Sequence, residues 1–416
     1  MERLLREGEY MDGRERGFTL IELLVSIAVF VVIIGGLTAT LVQQQRQVDL
    51  TSDAAEMDDV GRAVLDYVAS VVRNAASRQG KTFSLKFVNG GSQPGGTCAS
   101  TDTSLDGSVD SPPDCLTVYT WDIARGQNVN PTTGEVELPS TVRTVEVVQS
   151  GPPLIIQAPD SWFPASSPPL VAAGDLIGFR SRVNLCSLRA GADCVLDPLG
   201  SSCTECGAIL KITSVNAALK QIVFDGSAGS PIVEQNFSTT PFYNLSEFVN
   251  NFFVPSITMQ VSEMSIVSAV TFSVDEQTGE LQIDDDLDGT PTAYAGGGEA
   301  AQIVDLQFVF NLSDPDGGIT KVGVPTDPSR RMYSSFSAST DVAGRESDIR
   351  SVEIYIVLRS RMKAVLTGGK RLEGVVVPQV GDRLERVAGQ SLDEGYIYKV
   401  YNTTVYLRNM GREDFG

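Results

Sequence analysis

The chain has no histidine. That absence removes the imidazole general base, the imidazole metal ligand and every Ser-His or Cys-His pair, the arrangements most enzymes rely on. Basic residues are also in deficit, with 32 Lys and Arg against 52 Asp and Glu, a net charge of −20 and a pI near 4.4. A field of that sign repels phosphate backbones, so nucleic-acid binding is not expected. Paired carboxylates could still serve as acid and base, but an acidic surface supplies such pairs by chance, and no enzyme is expected.

Charge is missing in a second, more local way. Between Arg16 and Arg46 the only ionisable side chain is Glu22, and an unbroken apolar run extends from there to Val42. Phe18 to Val42 is long enough to cross a bilayer core of about 30 Å as a helix. No small-residue A-x-A-like cleavage site with a plausible mature start follows that run, so the segment is expected to be retained. Arg3, Arg6, Arg14 and Arg16 precede it, which keeps the short leader cytoplasmic and places the remainder on the far side of the membrane. A carboxylate inside the hydrocarbon costs several kcal/mol unless paired, so Glu22 is a functional residue in search of a cation. Cleavage after Gly17 would create one: the free α-amine of Phe18.

The run Gly17-Phe18-Thr19-Leu20-Ile21-Glu22-Leu23-Leu24-Val25 resembles the class III signal of type IV pilins and type II secretion pseudopilins. That resemblance implies cleavage after Gly17 by a prepilin peptidase on the cytoplasmic face and methylation of the new Phe18 amine. It also implies that Glu22 neutralises the N-terminus of a neighbouring subunit during assembly. The fold it implies is α+β and type IV pilin-like: a long N-terminal helix, half in the membrane and half amphipathic, packed on a large antiparallel β-rich head. The boundaries expected are a leader over 1–17, a membrane or filament-core helix over 18–42, an amphipathic helix over 43–79 and an extracytoplasmic head over 80–416.

The helical signal continues past the apolar run. Met57, Val60, Val64, Val68 and Val71 recur every three or four residues, with Asp58, Asp59, Arg62, Asp66 and Arg73 between them, which is an amphipathic stripe that must pack on something. A helix from Phe18 to about Ser77 would span on the order of 90 Å. Gly35 and Gly36 lie together in it. They either mark a local melting point or allow close helix packing through small residues.

From Lys81 the chain changes character, as Gly, Pro, Ser and Thr clusters separate short β-branched and aromatic runs. Strands are expected over 82–88, 116–122, 142–148, 175–181, 208–215, 221–224, 257–274, 280–283, 303–311, 352–358 and 397–407. Hairpin turns are expected at Thr133-Gly134-Glu135 and at Gln277-Thr278-Gly279-Glu280. The blocks Asp114-Cys115-Leu116-Thr117-Val118-Tyr119, Ala173-Gly174-Asp175-Leu176-Ile177, Ile349 to Ser360 and Tyr401 to Asn409 are similar to those of PilW-type minor pilins. Extra sequence around 90–111, 184–206 and 226–251 departs from that family.

Six cysteines beyond the membrane read first as three disulfides. Cys98 is expected to pair with Cys115, leaving Cys186, Cys194, Cys203 and Cys206 to staple the long insertion. A zinc ribbon is the weaker reading because only one C-x-x-C is present, and a redox C-x-x-C lacks its βαβ context. Asp284-Asp285-Asp286-Leu287-Asp288-Gly289 repeats the D-x-D-x-D-G start of an EF-hand loop, which wraps side-chain oxygens around Ca²⁺. Ala295 stands where the closing Glu would fall. Ca²⁺ held by Asp284, Asp286 and Asp288, with Asp305 or Glu299 completing the set, and a solvated acidic turn are both open readings.

The function implied is that of a minor pilin, inserted in the inner membrane by a single pass with a periplasmic head. It would then enter a pilus at its tip or initiation complex. Partners implied are prepilin peptidase, other major and minor pilins and an inner-membrane assembly platform. The alternatives are a type II secretion pseudopilin, or an adhesin or ligand-binding head carried on a pilin stalk.

Overall fold

The computed structural model describes residues 19–75, 85–88, 113–121, 128–129, 136–137, 146–149, 153–158, 160–163, 168–181, 206–224, 234–236, 263–275, 277–285, 287, 289–297, 301–313, 319–322, 349–360, 376–377, 386–387 and 396–407. The chain divides into two compact units, Met1–Ala54 and Ala55–Gly416.

A single helix, α1 (Leu20–Asn74), contains no proline and has Thr19 at its N-cap. It ends in a tight turn in which the Ala75 amide donates to the Val72 carbonyl at 3.0 Å. Over Leu20 to Val48 its large apolar side chains are exposed on every side, from Leu20 at 78% to Val42 at 45%. A helix apolar all round cannot rest in water and needs lipid or other helices around it. This part is long and apolar enough to cross a membrane. The helix is continuous through Gly35 and Gly36, and among the described residues nothing comes within 4 Å of where their Cβ atoms would stand.

Within Ala55–Gly416 the helix becomes one-sided. Met57, Gly61, Val64, Val68, Ala69 and Val72 are buried, and Val60, Leu65, Tyr67 and Val71 pack beside them. Each fully buried aliphatic side chain stabilises the fold by about 1.5–3 kcal/mol. The stripe therefore fixes the helix far more strongly than its propensity does.

The strands are β1 (Leu85–Val88), β2 (Cys115–Trp121), β3 (Asn128–Val129), β4 (Val136–Glu137), β5 (Glu146–Gln149), β6 (Leu154–Gln157), β7 (Leu176–Ser181), β8 (Cys206–Asn216), β9 (Gln221–Phe224) and β10 (Glu234–Asn236). They continue with β11 (Glu263–Asp275), β12 (Glu280–Asp284), β13 (Thr292–Gly296), β14 (Gln302–Ser313), β15 (Ile319–Val322), β16 (Ile349–Arg359), β17 (Val376–Val377), β18 (Arg386–Val387) and β19 (Tyr398–Tyr406). All pairings among the described residues are antiparallel. The larger sheet runs β1-β2-β11-β7-β8-β9-β6-β5, with β10 on β8 and a β12-β13 branch from β11. A smaller sheet runs β15-β14-β16-β19.

Both sheets turn one face to the helix. Leu116, Val118, Phe272, Val274 and Leu281 come from the first, and Leu306, Phe308, Phe310, Ile354, Ile356 and Leu358 from the second. The alternation along each strand decides this, since successive side chains point to opposite faces. Val267 and Ala269 of β11 accordingly join Tyr119, Leu176 and Ile209 in a separate cluster on the far face of the larger sheet. Asp114 stitches the two sheets together. Its amide donates to the Leu306 carbonyl at 2.8 Å, and its buried Oδ2 accepts from the Phe308 amide at 2.9 Å.

The expected strands other than 142–148, which begins four residues later as β5, coincide with observed ones to within six residues at their ends. β6, β13, β15 and five strands of two or three residues were not anticipated. Most are too short, or in β13 too rich in Ala and Gly, to carry an alternating signal. The turn expected at Gln277 to Glu280 joins β11 to β12, with Gly279 at φ +72. The turn expected at Thr133 lies outside the described residues.

Candidate assembly site

Gly17 and Phe18 lie outside the described residues; Glu22 lies in the first turn of α1. Thr19 and Glu22 form a reciprocal cap. The Thr19 amide and hydroxyl each donate to Glu22 Oε2 at 3.0 Å, and the Glu22 amide donates to Thr19 Oγ1 at 3.3 Å. This is the capping box, whose S/T-x-x-E signature stands in the sequence as Thr19-Leu20-Ile21-Glu22. It folds the carboxylate back over the first turn instead of letting it project sideways into the apolar belt. Ser26, one turn on, satisfies its hydroxyl on the Glu22 carbonyl at 2.7 Å.

A second polar group pins the lower half of the helix to the smaller sheet. Asp58 Oδ1 accepts from Tyr401 Oη at 2.5 Å and from Lys399 Nζ at 2.9 Å. The Tyr401 hydrogen bond, followed by that from Lys399, holds the Asp58 carboxyl below its usual range. Burial, and then the bond to Asp58, push the Tyr401 phenol up. Next to this group Gly61 lets the Tyr401 ring press against the helix backbone. Neither Lys399 nor Tyr401 could be tied to Asp58 from the sequence, because more than 340 residues separate them.

The acidic turn after β12 is only partly described. Asp284 Oδ2 accepts from the Gly289 amide at 3.1 Å, and its Oδ1 is buried with no hydrogen-bond partner among the described residues. Leu287, at φ 53, packs on the far-face cluster of the larger sheet, while Lys211 Nζ donates to its carbonyl at 3.1 Å. The bare Oδ1 suits a hard cation, and the lysine already brings one positive group to the loop. Asp286, Asp288 and Glu299 lie outside the described residues, among which no three acidic or sulfur ligands come together. Asp305 is buried in β14 and accepts from Gln307 Nε2 at 3.1 Å.

Cys115 is buried and disulfide-bonded. Cys206 begins β8, and Cys98, Cys186, Cys194 and Cys203 lie outside the described residues.

Residues 12–38 match the family model for the prokaryotic N-terminal methylation motif. The chain carries a prepilin-type signal motif. Its matched segment covers the Gly17-Phe18 bond and Glu22, and the helix and antiparallel body behind it are those the motif leads one to expect. The motif implies processing by a prepilin peptidase, anchoring through the apolar helix and assembly with other pilins. No curated protein matches the chain. Among solved structures, a type IV-like pilin from Thermus thermophilus is similar at 14% identity over 35% of this chain and 70% of that one, with a TM-score of 0.20. A superposition that loose contributes nothing to the assignment.

Proposed function

We propose that this pilin-like protein is a minor pilin: a prepilin cut after Gly17, methylated at Phe18 and packed through α1 into a filament tip or initiation complex. The observation that carries this reading is the apolar helix surface, exposed on all sides from Leu20 to Val42 and interrupted by a single carboxylate. Such a surface is covered by lipid before assembly and by neighbouring helices after it. In both settings Glu22 needs a cation, and the α-amine of an adjacent chain supplies one. The size of the Ala55–Gly416 unit favours a tip position, since so large a body repeated along a shaft would crowd its neighbours. The function is assembly rather than turnover.

The test is Glu22→Ala in the full-length chain, followed through membrane and sheared-filament fractions by intact mass. The variant should insert and be cut to a Phe18 start yet disappear from filaments. Normal filament incorporation of Glu22→Ala would overturn the reading.

A further inference from the structure

We infer that the outer edge of β19 is a docking edge, to which an extended strand of a different pilin-like chain adds by backbone pairing. The choice of a pilin-like partner rests on the minor-pilin reading above; the open edge does not. The Leu407 amide donates to the Arg350 carbonyl at 3.0 Å, and the Ile397 carbonyl accepts from the Ser360 amide at 2.8 Å. In an antiparallel ladder alternate residues turn their backbone groups toward the partner strand, so the odd-numbered residues of β19 face β16 and the even-numbered ones face away. Val400, Asn402, Thr404 and Tyr406 therefore present their amides and carbonyls outward, and these groups meet no partner among the described residues. Asn402, Thr404 and Tyr406 are exposed, Tyr406 at 71%.

Short edge strands, bulges and edge lysines keep other chains from adding to a sheet. The remaining ends of the two sheets have such protection: β1, β5 and β15 are four residues each, β5 is irregularly paired, and β15 carries Lys321. β19 runs nine residues against β16 without a register shift, contains no proline, and has no charged side chain at its outward-facing positions. Its one lysine, Lys399, is turned to the helix and held by Asp58 at 2.9 Å. Amides and carbonyls repeating at every second residue are matched by another extended backbone. Two copies of this chain, each with a net charge of −20, repel one another. A ladder between two β19 strands would also be antiparallel about a two-fold axis normal to the sheet. Residues 55–74 of α1, which pack on that sheet, would then run in opposite directions, whereas helices leaving one membrane run together. The occupant is thus a different, less acidic chain, with β-branched or aromatic residues beside Val400, Thr404 and Tyr406.

Proline separates backbone pairing from side-chain contact, because it removes an amide hydrogen and an edge strand tolerates it where that amide faces away. In the experiment, cells that process the full-length chain make it with the photocrosslinker p-benzoylphenylalanine in place of Tyr406 or, as a control, in place of the exposed Leu219. The Tyr406 probe is then combined with Asn402→Pro and Thr404→Pro together, or with Asn402→Ala and Thr404→Ala together. On irradiation the Tyr406 probe should give an adduct that the Leu219 probe does not, and mass analysis should find in the attached chain a processed prepilin N-terminus. The Ala pair should retain the adduct. The Pro pair should reduce it by roughly tenfold or more, as expected for loss of ladder hydrogen bonds, while the purified chain keeps its melting temperature in detergent. Should the Pro pair unfold the chain, Thr404→Lys takes its place, since a charge on the edge should weaken the adduct in the same way.

No adduct at Tyr406, or an adduct undiminished by the edge variants, would overturn the inference. An adduct with a second copy of this chain, or with a chain lacking a prepilin signal, would overturn the choice of partner. If Glu22→Ala is lost from filaments and Tyr406 gives no adduct, the edge inference falls alone and the minor-pilin reading stands. If Glu22→Ala assembles normally, the minor-pilin reading falls, and the adduct at Tyr406 still decides whether β19 is a docking edge.

Discussion

The ring of Tyr401 lies so close to the backbone of Gly61 that a Cβ added there would stand 2.6 Å from two of its carbons. The ring cannot simply withdraw, because its hydroxyl is held by Asp58, one turn earlier on the same helix. The contact at once sets the height of α1 over the smaller sheet and excludes every side chain from position 61. Gly61→Ala is expected to destabilise the protein by about 1–3 kcal/mol, the usual cost of overpacking a well-filled site. Urea unfolding of the full chain in detergent would measure it. Adding Tyr401→Leu should recover part of the loss, and a purely additive double mutant would contradict the proposed clash.

The Asp58 group gives a pH dependence with a definite sign. Its carboxyl pKa is lowered in the folded chain by Tyr401 and Lys399. The stability it contributes is therefore present above the ordinary value near 3.8 and lost as pH falls through the lower folded value. Tyr401 is raised, so its contribution is complete below its ordinary value of 10.0 and is lost only as pH climbs through the higher folded value. Tyr401→Phe removes the largest of the lowering causes. A carboxyl-selective NMR titration should then show the Asp58 midpoint moving up toward its ordinary value, while an unmoved midpoint would place the cause elsewhere.

Asp114 is buried at 1% exposure and accepts the Phe308 amide across the seam between the two sheets. Asp114→Ala leaves that amide without its acceptor and should cost about 2–3 kcal/mol. Asp114→Asn keeps a carbonyl oxygen in place and should cost clearly less. Equal losses in the two variants, by chemical denaturation, would mean that the carboxylate charge rather than the hydrogen bond holds the seam.

The turn at Asp284 invites a calcium titration. Its Oδ1 is buried without a donor, and a cation bridging it to Asp286 and Asp288 would satisfy it. Saturating Ca²⁺, at about a hundred times its dissociation constant, should stabilise the chain by about 2.7 kcal/mol. Asp284→Asn should abolish that gain. If the melting temperature is the same with and without Ca²⁺, the loop relies on Lys211 among the described residues, and Lys211→Met should then be the destabilising change.

Much of this protein was legible locally. Thr19-x-x-Glu22 caps the helix within one turn, the charge-free run from Leu23 to Gln45 requires an apolar environment, and β-branched alternation marks strands such as β14 and β16. Those features depend on neighbours a few residues away, so the order of residues was enough to specify them. The methylation motif belongs to the same class, being a short linear signal.

The tertiary structure decided what joins across long separations. Antiparallel strands of similar composition can pair in many orders, and only packing chose β2-β11-β7 and β14-β16-β19. Packing likewise brought Lys399 and Tyr401 to Asp58, gave Gly61 its role, and set Leu287 as an apolar anchor inside an acidic turn. The sequence by itself determined that an apolar helix with one carboxylate must find a membrane or a filament, because hydrophobicity and charge act through composition alone. Which residues fasten that helix to its body depended on the close, directional contacts that exist only once the chain is folded.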